Sequence, residues 1–419
     1  MDRHTNRSAA FGELLAMTKG SNLSVTEISN YLIRAKRPLF LMGGGARQLE
    51  TLSIVDWINS SGIPVAVTWS GTNLCGKLKN YCGVVGQFGR PAANSALHES
   101  DFAIALGSRL PNTVTGANKS LLMNKIVHVD VDPQELRLSR DSIGSHSILS
   151  DSEVFLNNLS KELKSSDLMS SDRWRAWRNL LTDRQTSEMS ALQGAQGKAP
   201  AGLANSHSAV SAFLRDAKAD DVLVIDGGGT ALYSGFQAAP LDRFHRVVSL
   251  NAISSMGTAP GQMVGSLKAT SSGRVIGLIG DGSFMMALNA LPSISSEPRA
   301  LLIVISNGGY LAIRHTQERF LGRRFLGTWT GDSEKLPSVR ELAGSLGFNY
   351  VKYSESDTRG IQSVMDRFKE TSKATVLEIF TDVQQPPLWS TSSRLDPQTR
   401  RVSPLPLSSM DYLGKESND

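Results

Sequence analysis

The sequence is short of cysteine, of long apolar runs and of charge of one sign, and each shortage closes off a class of protein. Two cysteines, Cys75 and Cys82, in 419 residues cannot staple a disulfide scaffold or supply a four-ligand metal site, and they suit a reducing compartment. The longest apolar runs, such as Leu301 to Ile305, are of strand length, far below the ~20 residues of a membrane span. The opening residues Met1-Asp2-Arg3-His4 lead into a polar stretch without the apolar core of a signal peptide. The expectation is a cytoplasmic protein that does not engage a membrane. The net charge is only +5, its lysines and arginines are scattered, and no basic stripe interleaved with aromatics is present. Nucleic acid is therefore not the expected partner.

What the chain does have is a globular composition, 40% hydrophobic and 20% charged, and a length that suits two domains. Short β-rich runs alternate with helix-period stretches. Leu39–Met42, Ile63–Val67, Phe102–Leu106 and Ile126–Val131 read as strands of the first half. Val222–Asp226, Val247–Leu250, Val275–Ile279, Leu301–Ser306, Tyr350–Lys352 and Thr375–Phe380 read as strands of the second. Such alternation marks βαβ units and predicts an α/β fold of two doubly wound parallel-sheet domains. The expected limits are a first domain over 1–165, a helical linker over 166–200, a second domain over 201–390 and a C-terminal tail over 391–419. Trp174, Trp177, Leu180 and Leu181 stand at helical spacing in the linker, after a polar stretch from Lys164 to Ser171. From Gln384 on the chain is rich in Pro, Ser and Arg, lacks a core pattern and predicts an extended tail that packs on the surface or disorders.

The stretch that carries chemistry is Val275-Ile276-Gly277-Leu278-Ile279-Gly280-Asp281-Gly282-Ser283-Phe284. A buried strand ends in Gly-Asp-Gly-Ser, and a helix pattern follows through Met285, Leu288 and Leu291. A second buried strand then ends in Ser306-Asn307-Gly308-Gly309-Tyr310. In a parallel sheet both ends open on the edge where ligands of open α/β folds bind. Asp281 offers a carboxylate, Asn307 a side-chain carbonyl and Gly309 a backbone carbonyl. An all-oxygen set with few protein ligands suits Mg²⁺ shared with a substrate phosphate. The amides of Gly282 and Ser283 head a helix, where anions are favoured. The plainer alternative is two tight turns in an α/β sheet.

This pattern resembles the cofactor signature of the thiamine-diphosphate enzymes, and its surroundings, from about Leu32 to Ser409, resemble the acetolactate synthase group. Phe40-Leu41-Met42-Gly43-Gly44-Gly45-Ala46 is similar to the opening strand and turn of that family's central domain. Ala105-Leu106-Gly107-Ser108-Arg109 and Val127-His128-Val129-Asp130-Val131-Asp132-Pro133 match two later strand ends. Asp226-Gly227-Gly228 aligns with the loop near the diphosphate, and Ser255-Met256-Gly257 with the segment that props the cofactor into its bent shape. Asn307 through Phe320 looks like acetolactate-synthase-like proteins of bacterial sugar and natural-product pathways. The resemblance implies thiamine diphosphate and Mg²⁺ as cofactors, with the metal on Asp281, Asn307 and Gly309. It places the cofactor against Gly228, Gly229, Thr230, Ser255, Met256, Gly280, Gly282, Ser283, Tyr310 and Leu311. Arg314 and His315, just after the metal loop, are the candidates for substrate contact, with two solvated helix residues as the alternative.

The family's first domain, which supplies an activating glutamate to the aminopyrimidine ring, has no counterpart in the pattern. The expectation is a split carboligase that decarboxylates pyruvate or a similar 2-oxo acid and transfers the acyl unit to a carbonyl acceptor. Its glutamate would come from a separate pyrimidine-domain subunit in an α₂β₂ or similar assembly. The alternatives are a 2-oxo acid decarboxylase subunit and a non-catalytic scaffold or regulatory subunit. A nicotinamide dehydrogenase ranks last, because Gly43-Gly44-Gly45 lacks the spacing of a dinucleotide fingerprint. Where acetolactate synthases carry Gln-His-Gln after the diphosphate loop, this chain has Gly229-Thr230-Ala231. Asn289-Ala290 stands where a glutamate is usual, and Thr316 replaces a channel tryptophan, which points to a different, larger acceptor. Gly44, Gly45 and Arg109 fit FAD, although Leu110-Pro111-Asn112-Thr113 replaces the usual acidic and basic residues. The histidines His98, His128, His207 and His245 show no ligand spacing and read as structural.

Overall fold

A computed structural model describes residues 23–412, apart from 50–51, 117–121, 123–125, 165–172, 251–252, 329–335, 355–360, 362–363, 365–367, 369–371, 391–392, 396–397, 400–401, 405–406 and 408–409. The polar stretch predicted after Lys164 lies outside the described residues. The first half builds a six-stranded parallel sheet from β1 (Pro38–Met42), β2 (Val65–Val67), β3 (Tyr81–Val84), β4 (Phe102–Leu106), β5 (Ile126–Asp130) and β6 (His146–Leu149), ordered β3-β2-β1-β4-β5-β6. The second half repeats the plan with β7 (Val222–Ile225), β8 (Arg246–Ser249), β9 (Val275–Gly280), β10 (Ala300–Ser306), β11 (Asn349–Tyr353) and β12 (Thr375–Phe380), ordered β11-β12-β10-β9-β7-β8. Central strands such as β10 are apolar along their length because helices cover both faces of a parallel sheet. Every residue of β10 but Ser306 is buried. In each sheet the chain order reverses beside the first strand, between β1 and β4 and between β7 and β9. Among the described residues no helix is long and apolar enough to cross a membrane.

The connector is the helix Arg175–Gly194, and it packs as part of the first domain. The Trp174 and Trp177 indoles donate to the carbonyls of Ala35 and Pro38 at 2.9 and 3.1 Å, so their helical spacing buries one face on that sheet. The two domains meet through aromatic rings: Trp69 stacks on Phe236 at 5.6 Å, and Phe88 lies 4.3 Å from Tyr233. Nearby, the Asn73 side chain accepts from the Val247 amide at 3.0 Å. Both cysteines are free and buried, and burial pushes the Cys75 thiol up to about 12.

The tail departs from the extended surface segment that its composition predicts. Trp389 is fully buried against Leu192, Ala195 and Ala238, and Met410 returns to the first domain, where its sulfur lies 3.4 Å from Asn94 Nδ2. The physical reason is a buried polar cluster that receives the tail backbone. Gln237 accepts from the Leu388 amide at 3.1 Å, donates to the Trp389 carbonyl at 2.5 Å and reaches the Gly89 carbonyl of the first domain at 3.4 Å. His207 completes the cluster, with Nε2 at 3.1 Å from Gln237 Oε1 and Nδ1 at 3.1 Å from Gln385 Nε2. These partners suit a neutral ring that donates from Nε2 and accepts at Nδ1.

Burial pulls His207 down to about 4 from 6.5, against the smaller opposing effect of Gln237. The unfolded chain therefore takes up a proton below about pH 6.5 that the folded chain refuses. Stability from this residue is complete above that pH and declines towards pH 4. Between pH 7.5 and pH 5 the expected loss is about 2 kcal/mol. Urea unfolding at the two pH values checks this, with His207→Gln expected to lose less by that amount.

Candidate functional site

Three loops leave the carboxyl edge of the second sheet side by side: 226–230 after β7, 280–283 after β9 and 307–313 after β10. The first two flank the point where the strand order reverses, the usual ligand crevice of an open α/β sheet. Together they line a small cleft of about 30 Å³. Of the cofactor candidates, Gly228, Gly229, Thr230, Met256, Gly280, Gly282, Ser283, Tyr310 and Leu311 all line it, as do Asn307 and Gly309. Ser255 stands behind Gly227, its carbonyl so close that a Cβ on that glycine would lie 2.2 Å away. A Cβ at Gly228 would lie 2.5 Å from Met256 Cγ, and one at Gly282 would lie 2.4 Å from the Tyr310 ring. Those glycines let two large side chains wall the cleft.

Asp281 organises the floor. It is 4% exposed, and its Oδ2 accepts from the amides of Asn307, Gly308 and Gly309 at 3.1, 2.8 and 3.1 Å. The turn exists because Gly308 and Gly309 adopt φ of 78° and 132°, which side chains disfavour. Oδ1 accepts from the Gly282 amide at 2.8 Å, so that amide is engaged by its own neighbour. Burial pushes the Asp281 carboxyl up to about 6, against the opposing pull of these amides. The helix that follows runs only from Asp281 to Met286, shorter than the pattern through Leu291 predicts, because the chain turns into Leu291–Ser293 around Pro292.

Asn307 stands across from Asp281, 5% exposed. Its Nδ2 donates to Thr230 Oγ1 at 2.8 Å, and its Oδ1 is buried without a hydrogen-bond partner. A buried carbonyl left unmet costs about 1–3 kcal/mol, so this atom calls for a cation or a donor. One carboxylate, one unmet amide oxygen and a left-handed glycine turn fit a magnesium ion that keeps most of its ligands for a phosphate and water. Among the described residues no group of three or more His, Cys, Asp or Glu side chains offers an alternative metal site.

Arg314 and His315 do not line the cleft. Arg314 is 8% exposed, donates to the Val383 carbonyl at 2.9 Å and lies over the Phe325 ring at 5.5 Å. His315 contacts the backbone at Gln384, and burial lowers its proton affinity. On the first sheet, Gly43 and Gly45 pack on Gly107 so closely that Cβ atoms there would lie 2.3 and 2.8 Å from its backbone. Close packing therefore already accounts for glycine at both positions. The exposed Arg109 faces Glu135 at 3.5 Å.

Asp226 is the residue whose role sequence reading missed. Fully buried, it accepts from the amides of Gly257, Thr258 and Ala259 at 3.2, 2.8 and 3.0 Å. It thereby caps the helix Ala259–Ala269 and fixes the turn that carries Met256. An aspartate at a strand end before two glycines was the available signal.

Comparison with known proteins agrees with this geometry. The family described as thiamine pyrophosphate enzyme, central domain, matches residues 25–159. The family described as thiamine pyrophosphate enzyme, C-terminal TPP binding domain, matches residues 226–379. The acetolactate synthase large subunit of Porphyra purpurea is 26% identical over 349 residues, 78% of this chain and 55% of the relative. That of Haemophilus influenzae is 24% identical over 365 residues, 84% and 60%. The acetolactate synthase isozyme 2 large subunit of Escherichia coli is 24% identical over 363 residues, 85% and 62%. The chain thus spans a little over half the length of these relatives. With both domain families matched in order and the cleft at the edge of the second, the chain belongs to the thiamine pyrophosphate enzymes and resembles the acetolactate synthase group among them.

Proposed function

We propose that this chain is the diphosphate-binding subunit of a thiamine-diphosphate carboligase that decarboxylates pyruvate or a similar 2-oxo acid and passes the acyl unit to a carbonyl acceptor. The observation that carries the reading is the buried, unpartnered Asn307 Oδ1 beside the Asp281 carboxylate, at the edge where three glycine-rich loops meet. Asp281, Asn307 and the Gly309 carbonyl would hold Mg²⁺, and Thr230 and Ser283 would face the diphosphate. When bound, thiamine diphosphate supplies the electron sink for decarboxylation, and the protein's share is to bind, orient and exclude water. Met256, seated on Gly228, and Tyr310, seated on Gly282, would orient the cofactor from two sides.

Among the described residues no glutamate lines the cleft. The proton-transferring carboxylate is assigned to a separate pyrimidine-binding chain, and acid–base help of that kind is worth ~10²–10⁴-fold in rate. Exposed apolar side chains on the elements leaving this edge, Ile253, Met286, Ile313, Leu321 and Leu326, support a face that a partner covers. The test is to purify the chain with what accompanies it and to measure CO₂ release from pyruvate for chain and assembly. Release by the assembly and not by the chain is expected. A chain that binds thiamine diphosphate yet gives no release in any assembly would instead mark a scaffold.

A further inference from the structure

Thr230 occupies a position where the resemblance to acetolactate synthases breaks down, inside Gly229-Thr230-Ala231, and its surroundings give the substitution a task. It is 4% exposed, lines the cleft and sits in the first turn of the helix Gly229–Ala238. Its Oγ1 accepts from Asn307 Nδ2 at 2.8 Å across 77 positions of sequence. A hydroxyl that accepts in this way keeps its own proton to donate. The other end of the same amide, Asn307 Oδ1, has no partner. The two residues together therefore offer one spare acceptor and one spare donor, side by side, at the edge of the cleft.

We propose that Thr230, read above as facing the diphosphate, is also a positioning residue for the metal. By taking the Asn307 Nδ2–H it holds the amide with Oδ1 towards the cation, and it gives its own O–H to a phosphate oxygen. This rests on the reading of the cleft as a magnesium–diphosphate site. Without the hydroxyl, Asn307 Nδ2 is left buried and unmet. Nothing then holds the amide with Oδ1 towards the cation, and the orientation that would bind the metal is no longer enforced. Metal and diphosphate affinity fall together.

The experiment uses the full chain and reads binding rather than turnover. Mn²⁺ affinity is measured by electron paramagnetic resonance, with and without thiamine diphosphate, and thiamine diphosphate affinity by fluorescence titration in excess Mg²⁺. Thr230→Val, which keeps shape, is expected to weaken both by about tenfold or more, and Thr230→Ser to remain within about threefold of the original. Metal-free Thr230→Val should melt slightly below the original chain, because Asn307 Nδ2 loses its acceptor, while Thr230→Ser should melt with it. If Thr230→Val binds both as the original does, or if Thr230→Ser fails as badly as Thr230→Val, the proposal is wrong while the reading of the cleft stands. If the original chain binds neither Mn²⁺ nor thiamine diphosphate, the reading itself fails and takes this proposal with it.

Discussion

Asp281→Asn is expected to remove Mg²⁺-dependent thiamine diphosphate binding, with affinity lowered by at least ~100-fold. Two effects act in the same direction. The carboxylate charge that would meet the cation is gone, and loss of a group that merely supports a metal ligand already costs roughly 10–100-fold. Further, Oδ2 now receives three amides from Asn307, Gly308 and Gly309. An amide placed there can turn its NH₂ towards those donors, so the turn that carries two proposed ligands loosens. The second effect has its own readout, a stability loss of about 1–3 kcal/mol without any ligand. Isothermal titration with Mg²⁺ and thiamine diphosphate measures the first, and urea unfolding the second. Unchanged affinity would remove Asp281 from the metal site.

The largest purely structural effect should come from Glu188→Ala. Glu188 lies on the connector helix with its side chain 0% exposed, and it reaches the first domain at two points. Oε1 accepts from the Ala92 amide at 2.5 Å, in the first turn of the helix Pro91–Glu99, and Oε2 accepts from Arg90 Nε at 2.8 Å. Burial raises the affinity of this carboxyl for a proton, and Arg90 opposes the rise. Truncation leaves a largely buried guanidinium without its anion and a helix amide without an acceptor, which costs about 3–5 kcal/mol. The double variant Arg90→Leu/Glu188→Leu should recover much of that loss, because the penalty lies in the stranded charge rather than in the missing attraction. Chemical denaturation of the three proteins decides it.

Much of this architecture is legible in the sequence where one local pattern suffices. The apolar strands ending in Gly-Asp-Gly-Ser and Asn-Gly-Gly announce a parallel sheet and its ligand edge, since strand burial and glycine turns are written over a few residues. The strands β3 and β6 escape notice because Tyr81-Cys82-Gly83-Val84 holds a glycine and His146-Ser147-Ile148-Leu149 is half polar. Both are edge strands, which tolerate such sequences. The buried tail escapes notice for a different reason. Trp389 is held by Gln237 and packed on Leu192, partners about 150 and 200 positions away, and no window of sequence contains them. The same holds for Thr230 and Asn307. Arg314 and His315 follow the glycine turn at Gly308 and Gly309 closely enough to invite a catalytic reading, but helix Leu311–Phe320 turns Arg314 towards Val383.

The route of the tail has a mechanical consequence. The connector helix joins the first domain to the second, and the segment from Gln385 to Met410 carries the chain back. Gln237 touches Gly89 on the way, and Met410 ends beside Asn94. Two tethers, not one, therefore span the pair of domains, and the aromatic stack of Trp69 on Phe236 adds a further contact between them. A single tether acts as a hinge, but two on separate paths forbid rotation until one lets go. Swinging the domains apart about the connector therefore requires the tail contacts at Gln237 and Asn94 to break first.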